Sequence, residues 1–349
     1  MSSLDLCKAK ILFRQHLTAP AEPVRVCKDL NGLQAQFMRN VFHSLKIRCP
    51  EGTEPDCQEI RDRLVKSWTL RGTVHVFAKE DLSLFLHQGR DHFLRPVDRM
   101  EADEYITLDR KQYFADRILS LIGEGISRRE ELKKQCFLEG MTDRECESLF
   151  NSWGGMIRYL AETGKISYLV QEEKAFQRCP DFDPMEKEAA ELELARRYFT
   201  FFGPSSVNDA AYYFKAPKSR VRGWMNKLAL KEVKTGETYR YEAEDDCEAP
   251  ADYPEIPDCI FLAGFDQLLL GYQKKESLFL PPEHLRGIFN LSGIVMPGIL
   301  YQGRVAGRWK EKNHKLEIQM FEQVGEKGKK KILRQAEQCW PDLKQVKWN

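Results

Sequence analysis

The feature that most limits the folds open to this chain is an order of three helices followed by a two-stranded hairpin, which the sequence repeats. In the middle of the chain, residues 109 to 122 place Tyr113, Phe114, Ile118, Leu119 and Ile122 at helical spacing behind a capping Asp109. Ser127, with Glu130 three residues on, opens a shorter helix. Thr142 with Glu145 opens a third, which is expected to run to residue 161, just before Gly164. Residues 166–170 and 175–178 then read as paired strands. The order returns from 184 to 242: a helix from Pro184 to Phe201, a helix capped at Ser205, a helix starting at Pro217, and strands 231–234 and 238–241 around Gly236. A rougher copy fills the first hundred residues, with helices over 4–17, 26–31 and from Asn31/Gly32 to 45, and a hairpin 67–71/73–77 around Gly72. Three helices plus a hairpin is the winged-helix pattern, whose third helix can enter a major groove; in the later copy that helix carries Arg220, Arg222 and Lys227.

The last third changes character. Short, turn-bounded strands are expected at 260–262, 293–296, 298–301, 303–306, 307–309 and 316–321, with a closing helix over 328–339. The expected fold class is α+β, mainly α: tandem winged-helix units over 1–100, 101–182 and 183–243, then a β-rich C-terminal domain over 244–349.

Lys+Arg (54) and Asp+Glu (53) nearly cancel, so local charge decides what could bind. Residues 242–258 hold eight acids and no Lys or Arg, whereas residues 300–349 hold twelve cations against six acids. An acidic linker and a solvated basic tail account for this as readily as an anion-binding face does. No apolar run is long enough for a membrane span, and charges interrupt the first thirty residues, so a cytoplasmic, nucleoid-associated protein is expected. Ten cysteines lack any Cys-x-x-Cys or zinc spacing and read as reduced structural thiols, with no metal. The phosphate-loop, Gly-x-Ser-x-Gly and His-Glu-x-x-His patterns are absent, which removes common enzyme classes and leaves no cofactor expected.

What remains is Gly32-Leu33-Gln34-Ala35-Gln36 and, further on, Thr69-Leu70-Arg71-Gly72-Thr73-Val74-His75. Two glutamines two apart could face one ligand from an extended or irregular backbone but diverge on a regular helix. Alone they read equally as surface glutamines, His75 as a satisfied core histidine, and Arg71 as a salt-bridge partner.

Taken together, these blocks resemble the AlkZ-like DNA glycosylases, a family of tandem winged-helix proteins that includes enzymes unhooking bulky alkyl adducts and interstrand crosslinks. The resemblance continues in the block from Phe261 through Asp266 to Tyr272 and in Gly298 to Trp309, covering nearly the whole chain in order. It implies a catalytic Gln-x-Gln element at Gln34 and Gln36. The family also has members with Asp at the second position. A neutral amide can orient water and offer a carbonyl dipole, but it cannot act as a base. The implied substrates are therefore N7- or N3-alkylated purines in double-stranded DNA, whose cationic ring already leaves easily. The implied reaction is monofunctional hydrolysis to free base and abasic site, without lyase chemistry, by a monomer in repair or genotoxin self-resistance. Arg71, Thr73 and His75 are expected beside the glutamines, with Arg304, Arg308 and Lys310 on the DNA backbone. Asp266 is expected either to cap a helix or to approach the DNA as a carboxylate. The rival readings are a non-catalytic winged-helix DNA-binding protein and a family member that has lost turnover.

Overall fold

The structure is a computed structural model and describes residues 2–89, 94–244 and 250–349. The chain forms two compact units: one comprises Met1–Gln34, Arg39–Cys57 and Leu192–Asn349, the other Ala35–Met38 and Gln58–Glu191. This grouping cuts across the consecutive stretches expected from sequence, because the amino-terminal helices belong with the last third of the chain.

In the unit centred on 58–191, strands Leu64–Trp68 and Val74–Ala78 pair antiparallel, with Ser67 opposite His75. Lys66 then pairs with Tyr168, which joins this hairpin to the Ile166–Tyr168/Phe176–Arg178 hairpin. Two expected wings thus share one sheet. The Leu108–Gly123 helix is capped by Thr107 rather than Asp109, its hydroxyl accepting from Arg110 N. Arg129–Leu138 starts without a side-chain cap, because its N-cap position is Arg128, and the Ser127 carbonyl accepts from Phe176 N. Thr142 and Glu145 form the expected capping box, yet the helix they open splits into Asp143–Leu149 and Met156–Glu162. The cause is Gly154 and Gly155 at φ 147° and 61°; a Cβ on Gly155 would lie 2.5 Å from the Leu149 carbonyl. Phe114, Ile118, Leu132, Leu149, Ile157 and Ile166 meet in the core.

The other unit contains the helices Ser3–Arg14, Pro23–Asp29, Val207–Phe214 and Lys218–Met225, and the hairpin Leu230–Thr235/Thr238–Ala243. Ser206, one residue later than expected, caps Val207–Phe214 with Asp209 in a capping box. Glu242, an acid of the expected linker, is fully buried between Lys10 (2.8 Å) and Arg14. Burial alone would raise its pKa, but these cations hold the carboxyl below its usual range. Asp245, Asp246, Cys247 and Glu248 of the same stretch lie outside the described residues.

The carboxy-terminal region is a five-stranded sheet in the order Gln345–Trp348, Lys315–Met320, Arg304–Lys312, Gly298–Tyr301, Cys259–Phe261. The expected strands 303–306 and 307–309 are one strand with a bulge between Val305 and Gly307. Residues 293–296 form only a bridge, Val295 to Phe289, while the parallel edge strand Gln345–Trp348 was not among the expected strands. The Glu326–Cys339 helix packs Ile332, Ala336 and Cys339 onto Phe261, Ile299, Leu316 and Ile318. Among the described residues no helix is long and apolar enough to cross a membrane.

Candidate active site

The segment bearing the two glutamines begins with a forced change of direction. After Pro23–Asp29, Asn31 and Gly32 take φ values of 51° and 76°, the left-handed region in which glycine carries no steric penalty. Gly32 N donates to Cys27 O at 2.8 Å and closes the helix. Asn31, fully buried, donates from Nδ2 to Leu194 O at 2.9 Å. The Gly32 carbonyl accepts a 2.7 Å hydrogen bond from Gln267 Nε2, whose residue is also fully buried.

The helix expected from Asn31 therefore starts later, at Met38, and Leu33–Gln34 is a strand. Ala35 N donates to Val74 O at 2.8 Å, which extends the straight run by one residue before the chain bends at Gln36. Burial follows a period of two: Leu33 and Ala35 are buried, Gln34 is half-buried and Gln36 is exposed. Both glutamines are thus less buried than the residues beside them, Leu33 and Ala35.

Gln267 belongs to a buried polar block. Its neighbour Asp266 accepts from Arg48 at 2.7 and 2.9 Å, and both side chains are inaccessible to solvent. Asp266 also caps the short Gln267–Leu270 helix through Leu268 N (2.9 Å). Arg48 donates further to Gln15 O and Ser44 O. Asp266 is accordingly corrected from a DNA-contacting carboxylate to a helix cap and ion-pair partner: its oxygens face Arg48 and a backbone amide, and no surface is left for phosphate or base.

The turn between Leu64–Trp68 and Val74–Ala78 is a tight 3-10 turn with Arg71 and Gly72 at φ 60° and 64°. Arg71 can only donate, and its guanidinium lies 3.3 Å from His75 Nε2, so the ring proton sits on Nδ1, facing Thr73 O (3.1 Å) and Thr69 Oγ1 (2.9 Å). His75 is fully buried, which corrects the expectation that it touches DNA: it braces the turn that carries Arg71. Thr73 is half-buried and its hydroxyl donates to Leu70 O.

Arg304 is half exposed and paired with Glu322 at 2.9 Å. Arg308 donates to Gln319 Oε1 at 2.8 Å. Lys310 is exposed, stands opposite Glu317 in the sheet, and has no hydrogen-bond or ion-pair partner among the described residues.

Sequence reasoning missed Gln267, Arg48 and Asn31. The only signal was the adjacency of Gln267 to Asp266. It also missed His43, whose Nε2 donates to Phe261 O at 2.8 Å and whose ring stacks on Trp340 at 5.5 Å. Burial pushes His43 down to about 4 despite that hydrogen bond, so the imidazole is neutral at physiological pH.

The model of the DNA glycosylase AlkZ-like family matches residues 27–340, which include the Gln-x-Gln segment, the Arg71 turn and the Asp266 block. The chain belongs to the AlkZ-like DNA glycosylase family. It is 24% identical to an interstrand DNA cross-link repair glycosylase of Streptomyces sahachiroi over 333 residues, 88% of each chain. The solved structure of the Streptomyces sahachiroi DNA glycosylase AlkZ has the same fold, with a TM-score of 0.80 and 20% identity over 100% of this chain and 99% of that one. Gln34 and Gln36 carry neutral amides, which can orient a water or offer a carbonyl dipole but cannot act as a base.

Proposed function

We propose that the protein is a monofunctional glycosylase that hydrolyses the N-glycosidic bond of N7- or N3-alkylated purines in duplex DNA, with Gln34 and Gln36 as the catalytic residues. The carrying observation is that both are less buried than Leu33 and Ala35 beside them, just after a Gly32 carbonyl that buried Gln267 fixes. In the proposed step the alkylated ring carries a positive charge and leaves with the bonding electrons. The amide carbonyls stabilise the oxocarbenium-like sugar and hold the water that adds at C1′, which then loses its proton to solvent. The products are free alkylbase and an abasic site.

Two lysines of these stretches are engaged elsewhere: Lys46 donates to Cys339 O at 2.8 Å and Lys66 to Gln171 O at 2.9 Å. This favours hydrolysis over Schiff-base lyase chemistry. The crosslink-repair relative favours bulky adducts and interstrand crosslinks among the substrates. Arg71 and Thr73 are proposed to line the lesion site, and Arg304, Arg308 and Lys310 to contact phosphates, in a tandem winged-helix monomer bound to one duplex.

The test is release of N7-methylguanine and unhooking of a nitrogen-mustard crosslink, measured as alkali-labile cleavage. Gln34→Ala and Gln36→Ala are each expected to slow release by about 100-fold or more, with undamaged-duplex affinity unchanged. Wild-type protein that binds duplex but leaves every damaged substrate intact would establish the alternative, a non-catalytic DNA-binding protein.

A further inference from the structure

Apart from the glutamine segment, the unit centred on 58–191 contains an open cavity of about 490 Å³ at one end of its sheet, between the Gln58–Asp62 helix, the start of Leu64–Trp68 and the Phe176–Arg178 strand. This size lies within the range of small-ligand sites. Its floor is apolar, formed by Leu64, Val65 and Leu169 with Pro180 at one side. Three cations, Arg61, Lys79 and Arg178, stand around it against one carboxylate, Asp62, which already accepts from Gln58 Nε2 at 2.6 Å. Among the described residues the side chains of Lys79 and Arg178 have no carboxylate partner, so two of the three cations are uncompensated.

The remaining polar lining is carboxamide. Gln177 donates from Nε2 to Ser167 Oγ at 3.3 Å, which leaves its Oε1 as an acceptor, and Gln171 adds a second amide. Each part suits a different portion of one ligand class. Guanidinium and ammonium groups match the oxygens of a phosphate. An apolar floor suits the face of a planar ring, and carboxamides, which both donate and accept, suit its polar edge.

We propose that this cavity binds a nucleotide through its 5′-phosphate on the Arg61, Lys79 and Arg178 rim, with the base over the Val65 and Leu169 floor. The site does not depend on the glycosylase reading, because it uses none of the residues assigned to that reaction. Two sources share this chemistry, a free mononucleotide and a nucleotide within a single strand.

The test is calorimetric titration of the full-length protein with deoxyguanosine 5′-monophosphate, deoxyguanosine and inorganic phosphate, all without damaged DNA. The monophosphate is expected to bind, with the nucleoside and inorganic phosphate each weaker by about tenfold or more. The Lys79→Gln/Arg178→Gln double variant, with both changes at exposed positions, is expected to melt like wild type and to lose about tenfold or more of monophosphate affinity. A single strand lacking a 5′-phosphate that competes with the monophosphate places the ligand within a strand; failure to compete places it with free nucleotides, and both outcomes support the site. No heat up to about 10 mM monophosphate, equal binding of inorganic phosphate, or undiminished binding by the double variant would each overturn it.

Discussion

Replacing Asp266 by Ala separates structural from DNA-binding roles at the position where the sequence left both open. Arg48 and Asp266 are joined by two hydrogen bonds at 2.7 and 2.9 Å, with neither side chain reaching solvent. Removing one partner leaves a buried, uncompensated guanidinium, which costs about 3 to 5 kcal/mol. Losing the cap on Leu268 N adds about 1 kcal/mol. In a unit of about 200 residues, where 1 kcal/mol moves the midpoint by roughly 2 to 4 °C, the melting temperature should fall by about 10 °C or more. The assay is thermal melting by circular dichroism, paired with fluorescence anisotropy on undamaged duplex well below the melting point. Arg48→Met alone should cost a similar amount, and Arg48→Met/Asp266→Leu should cost less than the two singles added together, because no buried charge is left behind. Asp266→Ala with wild-type melting and weakened duplex binding would refute this account and return the carboxylate to the DNA interface.

Three further outcomes are expected. His43 sits at about 4 in the folded chain against an ordinary 6.5, so the unfolded state takes up its proton first; stability present above pH 6.5 should decline by about 3 kcal/mol on acidification towards pH 4, and His43→Gln should flatten that decline in urea titrations. Burial pushes Lys66 down to about 8, which means stability falls as pH drops from 10.5 to 8 and the penalty is fully present at pH 7; Lys66→Met should raise the melting temperature at pH 7, with the gain shrinking at pH 10. Lys310→Gln should weaken duplex binding at low salt and reduce the slope of log affinity against log salt by about 1, while an unchanged slope would remove Lys310 from the DNA backbone contacts.

Local signals served well where the chain decides locally. The Thr142–Glu145 capping box, the hairpin at Gly236 and the strand pair 166–168/176–178 all follow from nearby residues, and all are present. The breaks came where backbone conformation or distant partners decide. Gly154 and Gly155 look tolerable inside a helical pattern until their positive φ values end it. Residues 33–36 carry a helix-compatible composition, but the left-handed Asn31–Gly32 pair and the hydrogen bond from Ala35 to Val74 hold them extended. The Gln-x-Gln element was legible as a motif. Its support was not, because a hydrogen bond from Gln267 to a backbone carbonyl leaves no trace in the sequence around Gly32. His75 and Asp266 show the converse: both stand in recognisable blocks, yet burial gives them structural work.

The hydrogen bond from Gln267 to Gly32 joins positions 235 residues apart. During synthesis, the strand bearing Gln34 leaves the ribosome long before the side chain that fixes its carbonyl exists. The amino-terminal portion alone therefore lacks the anchor on which the proposed water site depends, and catalytic competence should arise only once the final third of the chain has been made and has docked.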